Sequence, residues 1–361
     1  MARPAVAEIN LENIRANFRL AASLSSHGKT VAVVKADAYG HGLVEVAESL
    51  SQDTEVFAVA SIEEAMVLRA SGIRHPVLLM EGFFEDSELD VIVKEGFWTV
   101  IHNEQQLGTL AQSRLPKPIP VWLKVDTGMH RLGFNPKEAA KAYATLKAMK
   151  QVQSIVVMTH LANADNELSD RVSVEAQLSK LPITLTSREI ELSLANSAAL
   201  LDHPSTRKHW QRPGIMIYGA CPLKAGNEHS QKLRPAMNLK SRIIATRWVH
   251  KGEGVGYGGR FIANRLSRIG TVAMGYADGY PRQAVDGTPV LVNGQRTKLV
   301  GRVSMDMLTV DLTDLPATGV GSEVEFWGQR LNANEVAAHC DTIAYHLFTG
   351  VTKRVPRKYI Q

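Results

Sequence analysis

The chain has 361 residues, 45% of them hydrophobic and 21% charged, which is enough apolar material for two folded domains and excludes disordered and low-complexity classes. Lys plus Arg exceeds Asp plus Glu by 41 − 36 = 5, a charge too dilute over this length to argue for nucleic acid. Two cysteines, Cys221 and Cys340, match no disulfide, zinc or redox spacing, so no metal is expected. The first residues carry charges where a secretory signal needs an apolar stretch. No uncharged apolar run approaches the ~18 residues of a membrane span, so a cytoplasmic protein without membrane contact is expected.

From the N-terminus, short apolar runs alternate with longer segments of helical period. The runs are TVAVVKA (Thr30–Ala36), VFAVA from Val56, PVLLM from Pro76, FWTVI from Phe97, PVWLKVD from Pro120, SIVVMTH from Ser154, IELSLAN from Ile190 and GIMIYG from Gly214. Between them lie helix-like stretches such as LVEVAESL, SIEEAMVLRASG and DSELDVIVKEG, then NEQQLGTLAQS and NPKEAAKAYATLKAMK. The last of these starts well, with Asn135 as N-cap, Pro136 at the first helical position and Glu138 in the first turn. Near-continuous apolar strands alternating with amphipathic helices predict a parallel sheet covered on both faces. Eight such units point to a (β/α)₈ barrel over residues 8–232; an open doubly wound sheet is the alternative.

Beyond residue 232 the texture becomes short strands with Gly, Asn-Gly and Asp-Gly turns. The Asn293-Gly294 pair in LVNGQRTKLVG is a hairpin signal, and ANEVAAHCD is the one helical stretch. Residues 233–361 therefore read as a mostly-β domain, against which residues 1–7 could pack. The fold class expected is α/β: an N-terminal (β/α)₈ barrel followed by a C-terminal mostly-β domain.

In such a barrel the reacting groups stand at the C-terminal strand ends. Those ends carry Lys35, Glu81, His102, Lys124, His160 and Asn196–Ser197, with Arg212 opening the last strand. A lysine after an apolar strand is usually a surface residue whose stem lies on apolar neighbours. In VVKADAYGHG, however, burial would lower the Lys35 pKa and suit it to a Schiff base. Phosphate belongs where strands seven and eight end, and there Ser197 offers a hydroxyl and Gly214 a close backbone approach. Lysine and phosphate cradle together suggest pyridoxal phosphate, although sugar-phosphate aldolases share both parts.

The ordered motifs VVKADAYGHG, LKVDTGMHRLG, THLANAD, ANSAA, RPGIMIYG, VGYGG, MGYADGYPR, VGRVSMDM and TKRVPRKY resemble the alanine racemase family from about Ala32 to Tyr359. The resemblance implies a pyridoxal-phosphate isomerase that interconverts L- and D-alanine as a head-to-tail homodimer, supplying or consuming D-alanine for cell-wall metabolism. By that resemblance Lys35 holds the cofactor, and Tyr39, Ser197, Gly214, Ile215 and Tyr345 bind its phosphate. Arg212 faces the pyridine nitrogen. Arg131 contacts the cofactor's phenolic oxygen and the substrate carboxylate. Lys124 matches a lysine carried as a carbamate that orients Arg131. His160 is a further cofactor contact, and Tyr257 is the second catalytic base, reaching in from the other subunit with His160 and Arg212 behind it. Met305, Asp306 and Tyr276 complete the substrate pocket across the interface. The alternatives are a racemase of broader specificity, a pyridoxal-phosphate homeostasis protein, which would lack the β domain, and a related decarboxylase, which would place an acid rather than Arg212 at the ring nitrogen. Gly254-x-Gly256-x-x-Gly259, with Asp278 beyond it, matches a dinucleotide fingerprint, but β texture follows where a helix is needed.

Overall fold

The computed structural model describes residues 3–165 and 173–361. The chain begins with β1 (Val6–Asn10) and α1 (Leu11–Ser23), then β2 (Lys29–Val33) and the short helical segments α2 (Lys35–Gly40) and α3 (Leu43–Leu50). Next come β3 (Val56–Val59), α4 (Ile62–Ala70), β4 (Val77–Leu79), α5 (Glu88–Glu95), β5 (Trp98–Ile101), α6 (Glu104–Gln112) and β6 (Ile119–Lys124). The barrel ends with α7 (Pro136–Ala148), β7 (Val152–Met158), α8 (Val174–Leu178), β8 (Glu191–Ser193), α9 (Ser197–Asp202) and β9 (Trp210–Gln211).

Strands β2 to β9 form one sheet in the order β8-β7-β6-β5-β4-β3-β2-β9, every recorded neighbour parallel. The sheet nearly closes. Across the β8/β9 seam the Ser193 hydroxyl donates to the Trp210 carbonyl at 2.9 Å, and the Arg212 N–H donates to the Ala195 carbonyl at 3.1 Å. Its interior is a packed core. The rings of Trp98 and Trp122 both lie 5.6 Å from that of Trp210; Trp98 and Trp210 are the first residues of their strands, and Trp122 lies midway along β6. The Asn135 side chain caps α7 by accepting from the Lys137 N–H at 3.0 Å, as its sequence implied.

One strand assignment needs correction. GIMIYG is not the eighth strand: Ile215–Tyr218 is a 3₁₀ turn with all four residues buried. The eighth strand is the two-residue β9, and Arg212 follows it rather than opening it. A short apolar run buried on every side has no periodicity to distinguish strand from turn.

The second part holds β10 (Met237–Val249), β11 (Gly254–Val255), β12 (Phe261–Ile262), β13 (Ser267–Val272), β14 (Pro289–Val292), β15 (Gln295–Lys298), β16 (Leu308–Asp311), β17 (Glu323–Trp327), α10 (Ala333–Ala338), α11 (Ala344–Gly350) and β18 (Arg357–Ile360). The thirteen-residue β10 is its spine, pairing antiparallel with β1, β13 and β17. Strand β1 also pairs parallel with β18, so the first strand of the chain lies in the β domain's sheet. The expected hairpin joins β14 and β15, with Asn293 and Gly294 both at positive φ (48° and 80°), the type I′ geometry. Where one helical stretch was expected there are two, because α11 follows α10 and packs Leu347 and Phe348 inward.

Candidate active site at the barrel mouth

Lys35 follows the apolar end of β2 and enters a turn with an unusual backbone. Ala36, Asp37, Ala38 and Tyr39 all adopt left-handed dihedrals, with φ between 52° and 55°. Each such residue costs roughly 1–2 kcal/mol without a glycine to relieve it, so the turn must be held from outside. The Ala36 N–H donates to Glu64 Oε1 at 2.6 Å, and Asp37 Oδ1 accepts from the Leu43 N–H at 2.8 Å. His41 Nδ1 lies 3.1 Å from the Ala38 carbonyl and 2.9 Å from the Tyr39 carbonyl, so that nitrogen carries the ring proton and donates. Burial between the rings of Tyr218 and Phe348 pushes the His41 pKa down to about 4. From the C-terminal segment, Arg357 donates to the Gly40 carbonyl at 3.2 Å. A Cβ on Gly40 would lie 2.2 Å from the Phe348 carbonyl oxygen, so α11 and this turn touch backbone to backbone.

The turn delivers Lys35 and Tyr39 into a cavity of about 320 Å³, a size suited to a small ligand. Arg131, His160, Ser197 and Arg212 line it from the loops after other barrel strands, with Gly214 and Ile215 beside them. Tyr345 reaches it from α11. All nine expected cofactor contacts therefore meet at one place. Lys124, the last residue of β6, is buried nearby.

The electrostatics are cationic. Burial lowers the Lys35 pKa, Glu81 partly restores it, and Arg131 lowers it further. Lys124 falls to about 8 through burial and then through Arg212, Arg131 and Lys35. His160 falls to about 3 for the same kinds of reason, burial first and Arg212 next. Burial holds the Tyr39 and Tyr345 phenols well above their usual range, so both remain O–H donors. The Arg212 guanidinium, brought down to about 10 by burial alone, stays charged.

Arg212 is fixed by its own fork. One terminal nitrogen donates to the Ser193 carbonyl and hydroxyl at 2.7 and 2.5 Å, and the other to the Thr159 carbonyl at 2.6 Å. Its buried Nε finds no hydrogen-bond partner among the described residues, although Arg212 lines the cavity. That orphaned donor fits an acceptor such as a pyridine nitrogen. The phosphate end fits as well: the Ser197 hydroxyl accepts the Gly214 N–H at 2.8 Å and keeps its own proton to donate. A Cβ on Gly214 would stand 2.3 Å from the Tyr39 hydroxyl, closing the cradle.

The remaining expected residues lie elsewhere. Tyr257, on the 3₁₀ turn after β11, lines a second cleft of about 440 Å³ with Tyr276, Met305, Arg282 and Arg302, and no residue is shared with the first. Tyr257 is 68% exposed and Met305 53%. Asp306 is ion-paired with Arg354 at 2.7 Å. Glu81 and His102 do not line the mouth; His102 Nε2 lies 3.0 Å from the Glu81 carbonyl, and both line an adjoining groove with Phe84. The glycines of the dinucleotide-like pattern fall on β11 and the turn after it, followed by β12 rather than a helix.

Sequence reasoning missed Met80 and Thr349 in the lining and Glu64 and His41 behind it. Thr349 had a signal, standing four residues after Tyr345 on one helix and donating to its carbonyl at 2.8 Å.

The fold and this mouth define a class: a two-domain barrel enzyme with a half-buried lysine in a cation-rich pocket. Family models for the alanine racemase N-terminal and C-terminal domains match residues 9–222 and 236–359. The catabolic alanine racemase of Pseudomonas putida is 51% identical over 358 residues, 99% of each chain. The solved biosynthetic alanine racemase of Pseudomonas aeruginosa is 46% identical with a TM-score of 0.95, covering 99% of this chain and 100% of that one. The alanine racemase of Bartonella henselae, solved with covalently bound pyridoxal phosphate, is 30% identical with a TM-score of 0.86, covering 99% of each. This chain belongs to the alanine racemase family and is an isomerase.

Proposed function

We propose that the protein interconverts L- and D-alanine with pyridoxal phosphate held at the barrel mouth, using Lys35 on one face of the substrate and Tyr257 of a second subunit on the other. The observation that carries the reading is the juxtaposition of Lys35 with the unpartnered Nε of Arg212 in one cavity. When bound, the cofactor supplies an electron sink for the charge left by departure of the Cα proton.

The chain's own residues do the rest. Tyr39, Tyr345 and Ser197 donate to the phosphate, with the backbone at Gly214 and Ile215 closing on it. Arg212 donates a hydrogen bond to the ring nitrogen, but a guanidinium does not give up its proton, so the ring stays neutral. Arg131 pairs with the substrate carboxylate, and His160, kept neutral by its surroundings, adds no charge. Racemisation needs a proton taken from one face and returned on the other, so two acid–base groups must flank Cα. The lowered pKa of Lys35 raises its neutral fraction, which is the form that accepts that proton.

A neutral Lys124 amine adds to carbon dioxide, releasing one proton and leaving a carbamate. Its depressed pKa favours that reaction, and the resulting anion would relieve crowding among Arg212, Arg131 and Lys35 while orienting Arg131. Tyr257, Tyr276, Met305 and Asp306 serve the partner's site, which accounts for an exposed cleft separate from the lysine pocket in the same chain. Polarimetry on L- and D-alanine tests the activity. Failure to reach the same racemic end point from both sides would exclude it, and equal rates with bulkier amino acids would replace it with a broader racemase.

A further inference from the structure

We infer that Arg3, at the start of the chain, is a positioning residue for the β-domain half of the site and acts through Asp278. The Asp278 side chain has no exposed surface. Its two oxygens take both ends of the Arg3 guanidinium, at 2.5 and 2.6 Å, a fork-on-fork contact with geometric as well as electrostatic content. Oδ2 also accepts the Gly275 N–H at 2.9 Å, and Arg354 Nε stands 3.5 Å from Oδ1.

Around that carboxylate two loops are tied together. The Tyr276 N–H donates to the Ser304 carbonyl and the Ala277 N–H to the Met305 carbonyl, both at 3.0 Å. A Cβ on Gly275 would lie 2.3 Å from the Met305 carbonyl oxygen, so the backbones are in contact. Arg3 spans both loops, since the terminal nitrogen bonded to Asp278 Oδ2 also reaches the Asp306 carbonyl at 3.2 Å. The loops so joined carry Tyr276 and Met305, and Arg3 itself lines neither cleft. A buried carboxylate that loses its bidentate partner is left poorly compensated, and the surrounding backbone shifts to find solvent or another donor. Arg354 already divides its contacts between Asp278 and Asp306, so it does not substitute.

This inference rests on reading Tyr257, Tyr276 and Met305 as the substrate-side half of the site. Full-length holoenzyme carrying Arg3→Ala should show KM for alanine raised about fivefold with a smaller change in kcat and with the visible cofactor absorbance retained. Amide exchange should accelerate in segments 273–280 and 303–307 and remain unchanged in segment 35–42. Mixed dimers with Lys35→Ala chains should recover the wild-type KM, because the live site then receives its β-domain half from a chain that keeps Arg3. Unchanged KM and exchange would overturn the inference, as would a raised KM persisting in the mixed dimer. If Tyr257→Phe racemises as fast as wild type, the underlying reading fails and the inference falls with it.

Discussion

The barrel mouth and the β-domain cleft are built on opposite principles. At the mouth the scaffold is fixed within one chain: Arg212 is buried and locked by three hydrogen bonds, Lys35, His160 and Tyr345 are half-buried, and a left-handed turn is clamped by Glu64, His41 and Arg357, while Arg131 stands exposed. In the cleft the aromatic and methionine side chains stand in solvent, with only their backbones firmly tied. A reactive lysine needs a dry, cationic pocket prepared in advance, because desolvation is what lowers its pKa. A group supplied to a second molecule must remain exposed until that molecule arrives. On the proposed function, the difference teaches that one half of the site would be finished by folding and the other by association.

The sharpest way to break that contrast is to remove one residue from each half. Lys35→Ala should lower racemisation at least about 10³-fold and abolish the visible absorbance of lysine-bound cofactor. Tyr257→Phe should cost about 10²–10⁴-fold while leaving the absorbance intact. A spectrum that changes in both variants or in neither would erase the distinction. Mixing the two inactive chains tests association directly: each heterodimer has one site with both lesions and one with neither, so about half the wild-type activity should return. Subunit exchange confirmed by mass spectrometry with no recovery would disprove the shared site.

Arg212→Glu probes the mouth more finely. A carboxylate there can hold a protonated ring nitrogen, so the cofactor should stay bound, racemisation should fall about 10²-fold or more, and a new long-wavelength absorbance should follow addition of alanine. No new absorbance would place Arg212 away from that nitrogen.

Acid should weaken the barrel side through His41. Its folded pKa of about 4 lies below the ordinary 6.5, so the unfolded chain binds the proton more readily. The associated stability is present above pH ~6.5 and is lost as pH falls through that value toward 4, about 3 kcal/mol in all. Urea unfolding at pH 7 and pH 4.5 should show the loss, and His41→Asn should flatten it. An equal slope in both proteins would mean that other groups carry the acid sensitivity. The smallest effect belongs to neither region: Asn135→Ala should cost about 1 kcal/mol of stability by uncapping α7, with racemisation unchanged.

Much of this was legible along the chain. The alternation of β3 to β8 with their helices follows from apolar runs and capping signals, and the hairpin at Asn293-Gly294 from turn chemistry. The nine mouth residues were legible because their motifs match a family, and barrel topology by itself had already placed Lys35, Lys124, His160 and Ser197 near one end. The run Ile215–Tyr218 misled because burial on all sides erases periodicity, and the true eighth strand, Trp210–Gln211, is too short to show any. Helix α11 was hidden by a mixed sequence, AYHLFTG, whose helical state is set by packing against the turn at Gly40.

By itself, then, the sequence determined the barrel and the β domain, because local periodicity and turn propensity are written residue by residue, while the proposed reactive groups came from the motifs' resemblance to a family. Only tertiary structure decided that Ala36–Tyr39 wind left-handed, that Arg212 leaves one nitrogen free, and that Arg3 reaches Asp278 across the length of the chain. Each of these depends on partners hundreds of residues away or on neighbouring strands, which supply hydrogen bonds strong enough to override local preference.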